Sequence, residues 1–286
     1  EMQRLTVCAL KKDRKFILEK LQNLGVLEVD HVIGEDEDFK KMDTAGRRQG
    51  FEKAAASADQ ALEILERYAP EKRSMFAALE GKKLISPGEE RRVREERRNL
   101  LKAAREIYDL DRERAEELSE ITKLENSIGS LTPWLGLDVP MKNSGTRRTE
   151  MLVGTMPGET TVESIYEVLS EKAPEIIGAD IHVVLAEQSA VYLALICMKE
   201  DADAAEEALR SAGFARPSQM WDGIPAEEKR SLEAEIVSCR RKIGEIEEKI
   251  SEYTELREKL KIVADYYRVR AEKYAVLGQL PQSERT

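Results

Sequence analysis

Two histidines, three cysteines and 56 carboxylates are among the side chains in this 286-residue sequence that could serve as bases, nucleophiles or metal ligands. Their spacing assembles none of the constellations such chemistry needs. His31 stands near the end of one alternating run and His182 lies inside another, so both read as strand residues facing polar surroundings. Cys8, Cys197 and Cys239 are far apart and sit in apolar patterns. Forming neither a disulfide framework nor a metal motif, they read as reduced core residues of an intracellular protein. The run Glu80-Gly81-Lys82-Lys83 lacks the other elements of G-x-x-x-x-G-K-[ST], and no G-x-G-x-x-G occurs. The loop Lys11-Lys12-Asp13 offers no glycine-rich anion nest, and no Ser-His-acid or Cys-His arrangement can be built. The expectation is a chain that is not an enzyme, with no cofactor, no metal and no small-molecule substrate.

Composition narrows the class further. Charged residues make up 36% of the chain and aromatic residues only 5%, which suits long helical packing joined to small domains better than one thick globular core. The formal net charge of −10 argues against nucleic-acid binding, which needs a basic surface. Arg91, Arg92, Arg94, Arg97 and Arg98 alternate with Glu89, Glu90, Glu95 and Glu96, the pattern of a solvated helix face with intrahelical ion pairs. No window has the 18 or more apolar residues of a membrane span, and no signal peptide is visible. The first residue is Glu1, so an expressed piece of a longer protein is expected.

The elements that would position any site are mostly helical. From Pro225 to Gly278 the positions Ile236, Cys239, Ile243, Ile246, Ile250, Tyr253, Leu260, Ala264, Tyr267, Ala271 and Tyr274 follow steps of three and four. That spacing predicts one helix with a coiled-coil seam, about 75 Å long at 1.5 Å per residue. Its stripe needs a partner. One is available from Ser86 to Leu131, opened by Ser86, Pro87 and two glutamates and carrying Val93, Leu100, Ala104, Ile107, Leu110, Leu118, Ile121, Leu124, Ile128 and Leu131. Ile107 with Leu118, and Leu110 with Ile121, repeat at eleven residues, which favours a straight or slightly right-handed winding.

In chain order, residues 2–10 read as a strand, Lys12 to Leu24 as a helix with Phe16, Ile17, Leu21 and Leu24 on one face, and 26–32 as a second strand. This strand-helix-strand unit is marginal alone and reads as unfinished. A helix from about Asp43 to Tyr68 follows, then a short one over Met75, Phe76 and Leu79. Beyond Trp134 come a strand at 148–157, a helix from Thr161 to Lys172, a hairpin of 177–187 with 190–199, a helix from Asp201 to Ala212, and a short strand at Phe214–Pro217. That order is the ferredoxin-like α+β sandwich. The expected fold is α+β: two small α/β lobes at opposite ends of a long antiparallel helical coiled-coil hairpin. The expected parts are residues 1–33 as the first half of one lobe, 34–132 as outgoing helices, 146–222 as the second lobe and 225–280 as the returning helix.

Four stretches carry a resemblance. MQRLTVCALKKDRKFILEKLQNLGVLEVDHV at the start, LTPWLGLDVP at 131–140, TEMLVGTMPGE at 149–159 and the closing YRVRAEKYAVLGQLPQSERT together resemble subunit I of A/V-type rotary ATPases, the counterpart of subunit a of the vacuolar proton pump. The resemblance spans the chain in order and implies the cytoplasmic N-terminal domain of that subunit, a non-catalytic stator part at the cytoplasmic face of the membrane. It implies anchoring of peripheral stalks built from subunits E and G, resistance to rotor torque, and attachment to the membrane sector through a C-terminal half beyond Thr286. That half carries the family's proton or sodium path. Candidate docking positions are Lys11, Lys12, Arg14 and Lys15 on the first lobe and Arg147, Arg148, Glu159 and Glu163 on the second. Pairing of the helices within one chain implies a monomer. The alternative is an unrelated cytoplasmic coiled-coil scaffold that self-associates through the Ile236–Tyr274 seam.

Overall fold

The apolar run from Ile236 to Tyr274 folds as two helices joined by a tighter turn. In the computed structural model, which describes residues 3, 5, 7–25, 40–71, 84–143 and 145–282, α6 (Pro225–Glu252) is followed by a 3-10 turn at Tyr253–Leu256 and then by α7 (Arg257–Gln279). The spacing alone predicts one unbroken helix. Two hydroxyls flank the break: Ser251 Oγ donates to Glu247 O at 2.9 Å and Thr254 Oγ1 to Ser251 O at 2.6 Å, so side chains there share carbonyls of the preceding turns. The other elements are α1 (Arg14–Leu24), β1 (Lys40–Lys41), α2 (Ala45–Tyr68), α3 (Pro87–Leu131), β2 (Thr149–Pro157), α4 (Val162–Lys172), β3 (Ala179–Ala186), β4 (Ala190–Met198), α5 (Ala202–Ser211) and β5 (Pro281–Gln282). They divide into two compact units, Glu1–Glu113 with Ile246–Thr286, and Arg114–Glu245.

In the first unit α2 and α7 are the most closely packed helices. Ala55, Ala58 and Ala61 of α2 make this possible, because small side chains at three-residue spacing let two helices approach. Val93, Leu100, Ala104 and Ile107 of α3, Ile246 and Ile250 of α6, and Leu260, Val263, Ala264 and Tyr267 of α7 close the same core. Each fully buried Leu or Ile there contributes about 1.5–3 kcal/mol of transfer free energy. Tyr253 Oη donates to Glu106 Oε2 at 3.0 Å and Lys259 Nζ to Glu96 Oε2 at 2.9 Å, so α3 runs antiparallel to the returning chain here. Glu96, expected in an intrahelical pair, thus reaches another helix. The seam position between Tyr253 and Leu260 is Arg257, 5% exposed in an otherwise apolar row. Its Nη2 donates to the carbonyls of Leu65 (3.0 Å) and Ala69, and its Nη1 lies 3.7 Å from Glu66 and 4.0 Å from Glu71. A guanidinium is therefore seated on the carbonyl end of α2, where a cation is favoured.

The start of the chain departs from expectation. Residues 7–10 form no strand, Val7 and Leu10 are exposed, and Cys8 is exposed rather than buried. β-propensity without a paired neighbour does not make a strand. β1 pairs instead with β5, antiparallel, Lys40 opposite Gln282. The predicted helix is present as α1 and ends at Gly25 in the left-handed conformation, φ 65°. Of its predicted apolar face, Ile17 and Leu21 are half-buried while Phe16 and Leu24 are exposed. The predicted strand at 26–32, His31 and the short helix around Met75 lie outside the described residues.

The second unit follows its predicted order closely. The sheet has strand order β2-β4-β3, all antiparallel, and Ala215 bridges to Thr155 on the outer side of β2. That is the ferredoxin-like arrangement with its last strand reduced to one bridge. The capping box Thr161/Ser164 opens α4, Thr161 Oγ1 accepting from Ser164 N at 3.2 Å and Ser164 Oγ from Thr161 N at 3.0 Å. Val191, Leu193, Leu195 and Cys197 of β4 face α4 and α5, burying Ile165, Leu169, Ala205 and Leu209. The opposite face meets Ile121, Leu124 and Leu131 of α3, Trp134, and Leu232, Ile236 and Cys239 of α6. Trp134 and Tyr192 meet edge to face at 5.2 Å. Leu118, predicted to share the α3 stripe, is 41% exposed. Arg114, one turn earlier, and the neighbouring Glu117 are half-buried instead, and Glu117 accepts from Lys242 Nζ at 2.9 Å.

Two substitutions test these supports. Arg257→Ala leaves two helix-end carbonyls and a cavity, and is expected to lower the unfolding free energy by about 2–4 kcal/mol, with Arg257→Met recovering only the packing share. Equal urea midpoints for all three proteins would show the guanidinium to be a bystander. A Cβ on Gly154 would sit 2.1 Å from Phe214 Cε2, so Gly154→Ala should displace Phe214 and destabilise by about 1–3 kcal/mol. An unchanged melting curve would contradict that close approach.

Candidate docking surfaces

The described histidine and the two buried cysteines are placed apart from one another, His182 on β3 and Cys197 and Cys239 in two different cores. Burial pushes the thiols of Cys197 and Cys239 up, and Glu117 beside Cys239 adds to the effect, which favours the protonated thiol in both. His182 is exposed on β3. Among the described residues no group of three His, Cys, Asp or Glu side chains could hold a metal ion, and no helix is long and apolar enough to cross a membrane. An open groove of about 400 Å³ in the second unit is lined by Glu116, Glu117, Glu120 and Glu235 with Lys242 and Cys239. Its walls are charged and open to solvent, unlike the enclosed apolar pockets that take small molecules.

On the first unit Lys11, Lys12 and Lys15 are exposed and Arg14 is half-buried, all on the turn before α1 or its first turn. The fold places them together and adds residues from elsewhere. Arg14 Nη2 approaches Met42 Sδ at 3.3 Å, which brings Lys40 and Lys41 of β1 and Arg47 of α2, all exposed, to the same region. Sequence spacing conceals this, since 28 residues separate Arg14 from Met42. α1 is held to α7 by Glu19, which accepts from Lys273 Nζ at 3.0 Å, the lysine side chain being only 8% exposed. The hydrogen bond from Lys273, with the charge of the same lysine, lowers the Glu19 carboxyl below its ordinary value. Lys273 could have been found in the sequence: with Arg270 and Leu277 it forms a three-and-four stripe beside the seam.

On the second unit Arg147, Arg148, Glu159 and Glu163 are all exposed, but they do not form one site. Arg147 and Arg148 lie in the bend before β2, where Lys199 N donates to Arg148 O at 2.8 Å. Glu159 follows the other end of β2 and Glu163 stands in the first turn of α4. Nine residues of strand separate the two pairs, about 30 Å. The strongest ion cluster there is one the spacing does not reveal. Glu206 of α5 accepts from Arg216 Nε at 2.8 Å and Nη2 at 2.6 Å and from Arg210 Nη2 at 2.7 Å. The bond from Arg216 chiefly lowers the Glu206 carboxyl. It ties the segment after α5 to the helix and is a structural clasp.

Both carboxyls titrate below their ordinary value when folded, so each stabilises fully above about pH 4.5 and loses that contribution as pH falls through its folded value. Stability is therefore expected to decline below about pH 4.5, and less steeply in Glu206→Gln and Glu19→Gln, in melts recorded from pH 7 to pH 3. Parallel slopes in wild type and both variants would show that other groups govern the acid limb.

No protein-family model matches the sequence, and comparison with curated proteins finds no match. Comparison with solved structures does: the fold is similar to the crystal structure of the cytoplasmic N-terminal domain of subunit I, homolog of subunit a, of V-ATPase. The match covers 94% of this chain and 85% of that one, with a TM-score of 0.52 and 14% sequence identity. The likeness is one of fold, and it leads to the same domain as the sequence resemblance.

Proposed function

We propose that this chain is a non-catalytic stator component of a V-type or A-type rotary ATPase that translocates protons or sodium ions. It anchors peripheral stalks made of subunits E and G to the membrane sector and resists the torque of the rotor. The observation that carries this reading is the likeness of fold over 94% of the chain to the subunit I domain. The character of the site supports it. The two cysteines packed in the cores are held protonated, the groove is open and charged, and the exposed features are clusters of ions suited to docking. In this role the chain works at the cytoplasmic face of the membrane, and the first docking surface is the cationic group Lys11, Lys12, Arg14 and Lys15.

Seam residues Ile236, Cys239, Ile246, Ile250, Leu260, Ala264 and Tyr267 are buried against helices of the same chain. That supports a monomer over self-association through the seam. The deciding experiment is a calorimetric titration with purified E–G heterodimer at low and moderate salt, alongside sedimentation of the chain alone. Saturable binding by a monomer, weakened as salt screens the charges, is expected. A folded chain that ignores the heterodimer at both salt concentrations overturns the reading.

A further inference from the structure

The sheet of the second unit keeps one open edge. Its strand order is β2-β4-β3, and among the described residues β3 pairs with β4 alone. Which backbone groups of β3 are left over follows from the ladder. Lys199 N donates to Arg148 O at 2.8 Å, so alternation turns the backbone groups of Cys197, Leu195 and Leu193 toward β2 and those of Ile196 and Ala194 toward β3. Asp180 and His182 stand opposite Ile196 and Ala194 and use their N–H and C=O there. The N–H and C=O of Ile181 and Val183 therefore point away from the sheet, and no hydrogen bond among the described residues reaches them.

Both ends of this stretch are closed. Tyr166 Oη of α4 donates to Ala179 O at 3.3 Å. At the bulge between Val183 and Leu185 the Val184 carbonyl lies against Gly136, where an added Cβ would stand 3.2 Å from it. What stays open is four backbone groups on two residues, a template for one more strand. A helix does not fill it, because helical N–H and C=O groups are already bonded to one another.

The side chains around the opening state what the added strand carries. Ile181 and Val183 turn toward α4 and α5, and on that side Tyr166 is 41% exposed and Ile177, two residues before β3, is wholly exposed. Asp180 and His182 are exposed on the opposite face. From Glu171 to Ala190 the sequence has four carboxylates and one lysine, and Glu175, Asp180 and Glu187 join no ion pair among the described residues. Thr132–Trp134, which packs beside β3, carries no charge.

We propose that the β3 edge takes an extended segment of a partner protein, in which apolar residues alternate with Lys or Arg, as an added strand. Its apolar side chains lie against Tyr166 and Ile177, its cations lie beside Asp180, and its backbone bonds Ile181 and Val183. The inference stands on the second unit alone and does not depend on the stator reading. Every residue of that unit is described except Ser144, in the loop before β2 and two strands from β3.

The test titrates the intact chain with three synthetic peptides of about ten residues. One alternates Val with Lys, the second is the same peptide N-methylated at every valine, and the third alternates Val with Glu. Binding is read by calorimetry and by NMR of amide exchange at Ile181 and Val183, which should be fast in the free chain. The Val–Lys peptide should bind saturably at up to about 1 mM and slow the exchange of both amides. N-methylation removes the N–H groups that face β3, and Ile181→Pro removes the one that faces the peptide; each should weaken binding about tenfold or more. Proline is tolerated where an edge-strand N–H points outward, and a melting curve verifies that the variant folds, while the methylated peptide needs no variant. Equal affinity for the methylated peptide, or no saturable binding, overturns the proposal. A Val–Glu peptide that binds as tightly overturns the basic character of the occupant. Slow exchange of the two amides in the chain alone, whether from a covering segment or from a second copy, overturns the open edge.

Discussion

One charged residue in an apolar row fixes the register of the first unit. A guanidinium with 5% exposure is tolerable only where acceptors converge, and Arg257 finds them at the last turn of α2: the Leu65 and Ala69 carbonyls, then Glu66 and Glu71. Sliding α7 by one turn along α2 would withdraw the cation from those acceptors. The alanines of α2 would permit such a slide, since Ala55, Ala58 and Ala61 present a nearly uniform surface. Close packing therefore supplies the attraction and Arg257 the position. The 3-10 turn immediately before it lets α7 leave α6 with the phase that this contact demands.

The same division between attraction and position recurs in the second unit. Leu193, Leu195, Ile165 and Leu209 are fully buried in the core, and a similar apolar set would serve. The paired contacts of Glu206 with Arg210 and Arg216 fix where the segment after α5 lies, and so bring Ala215 onto the edge of β2. The bridge covers the edge of β2 at Thr155 alone, and the clasp holds the covering segment there.

The second unit was legible in the sequence because its determinants are local. Alternation marks β2, β3 and β4, Gln188 and Ser189 the hairpin, and Thr161 and Gly213 the ends of helices, each within a few residues. The first unit was less legible because its determinants are distant. Whether residues 7–10 form a strand depends on a neighbouring edge, and a run of β-branched residues carries no information about one. Arg257 shows the same limit more sharply. As a lone charge at an apolar step it looks like a gap in the pattern, and only the end of a helix 188 residues earlier in the chain makes it a contact. Leu118 fits an eleven-residue repeat and yet faces solvent, because Glu117 pairs with Lys242 and sets the local phase.

For the docking residues the sequence shows charges but not their grouping. Lys11, Lys12, Arg14 and Lys15 are adjacent in the chain and stay adjacent in space, whereas Arg147 and Arg148 are parted from Glu159 and Glu163 by the length of β2. Grouping has a physical consequence. Exposed charges further apart than about 8–10 Å act independently at physiological ionic strength, so cations must cluster to attract a partner together. The first unit meets that condition through Lys40 and Lys41, and it meets it beside uncovered apolar side chains. Charge clustering speeds encounter and selects the partner, while apolar contact slows release. A face with both can hold a partner under load, and a face with exposed charge alone releases it readily in salt. On that ground the two charge groups differ in kind: the cations before α1 lie close enough to act together, and Arg147 and Arg148 act apart from Glu159 and Glu163.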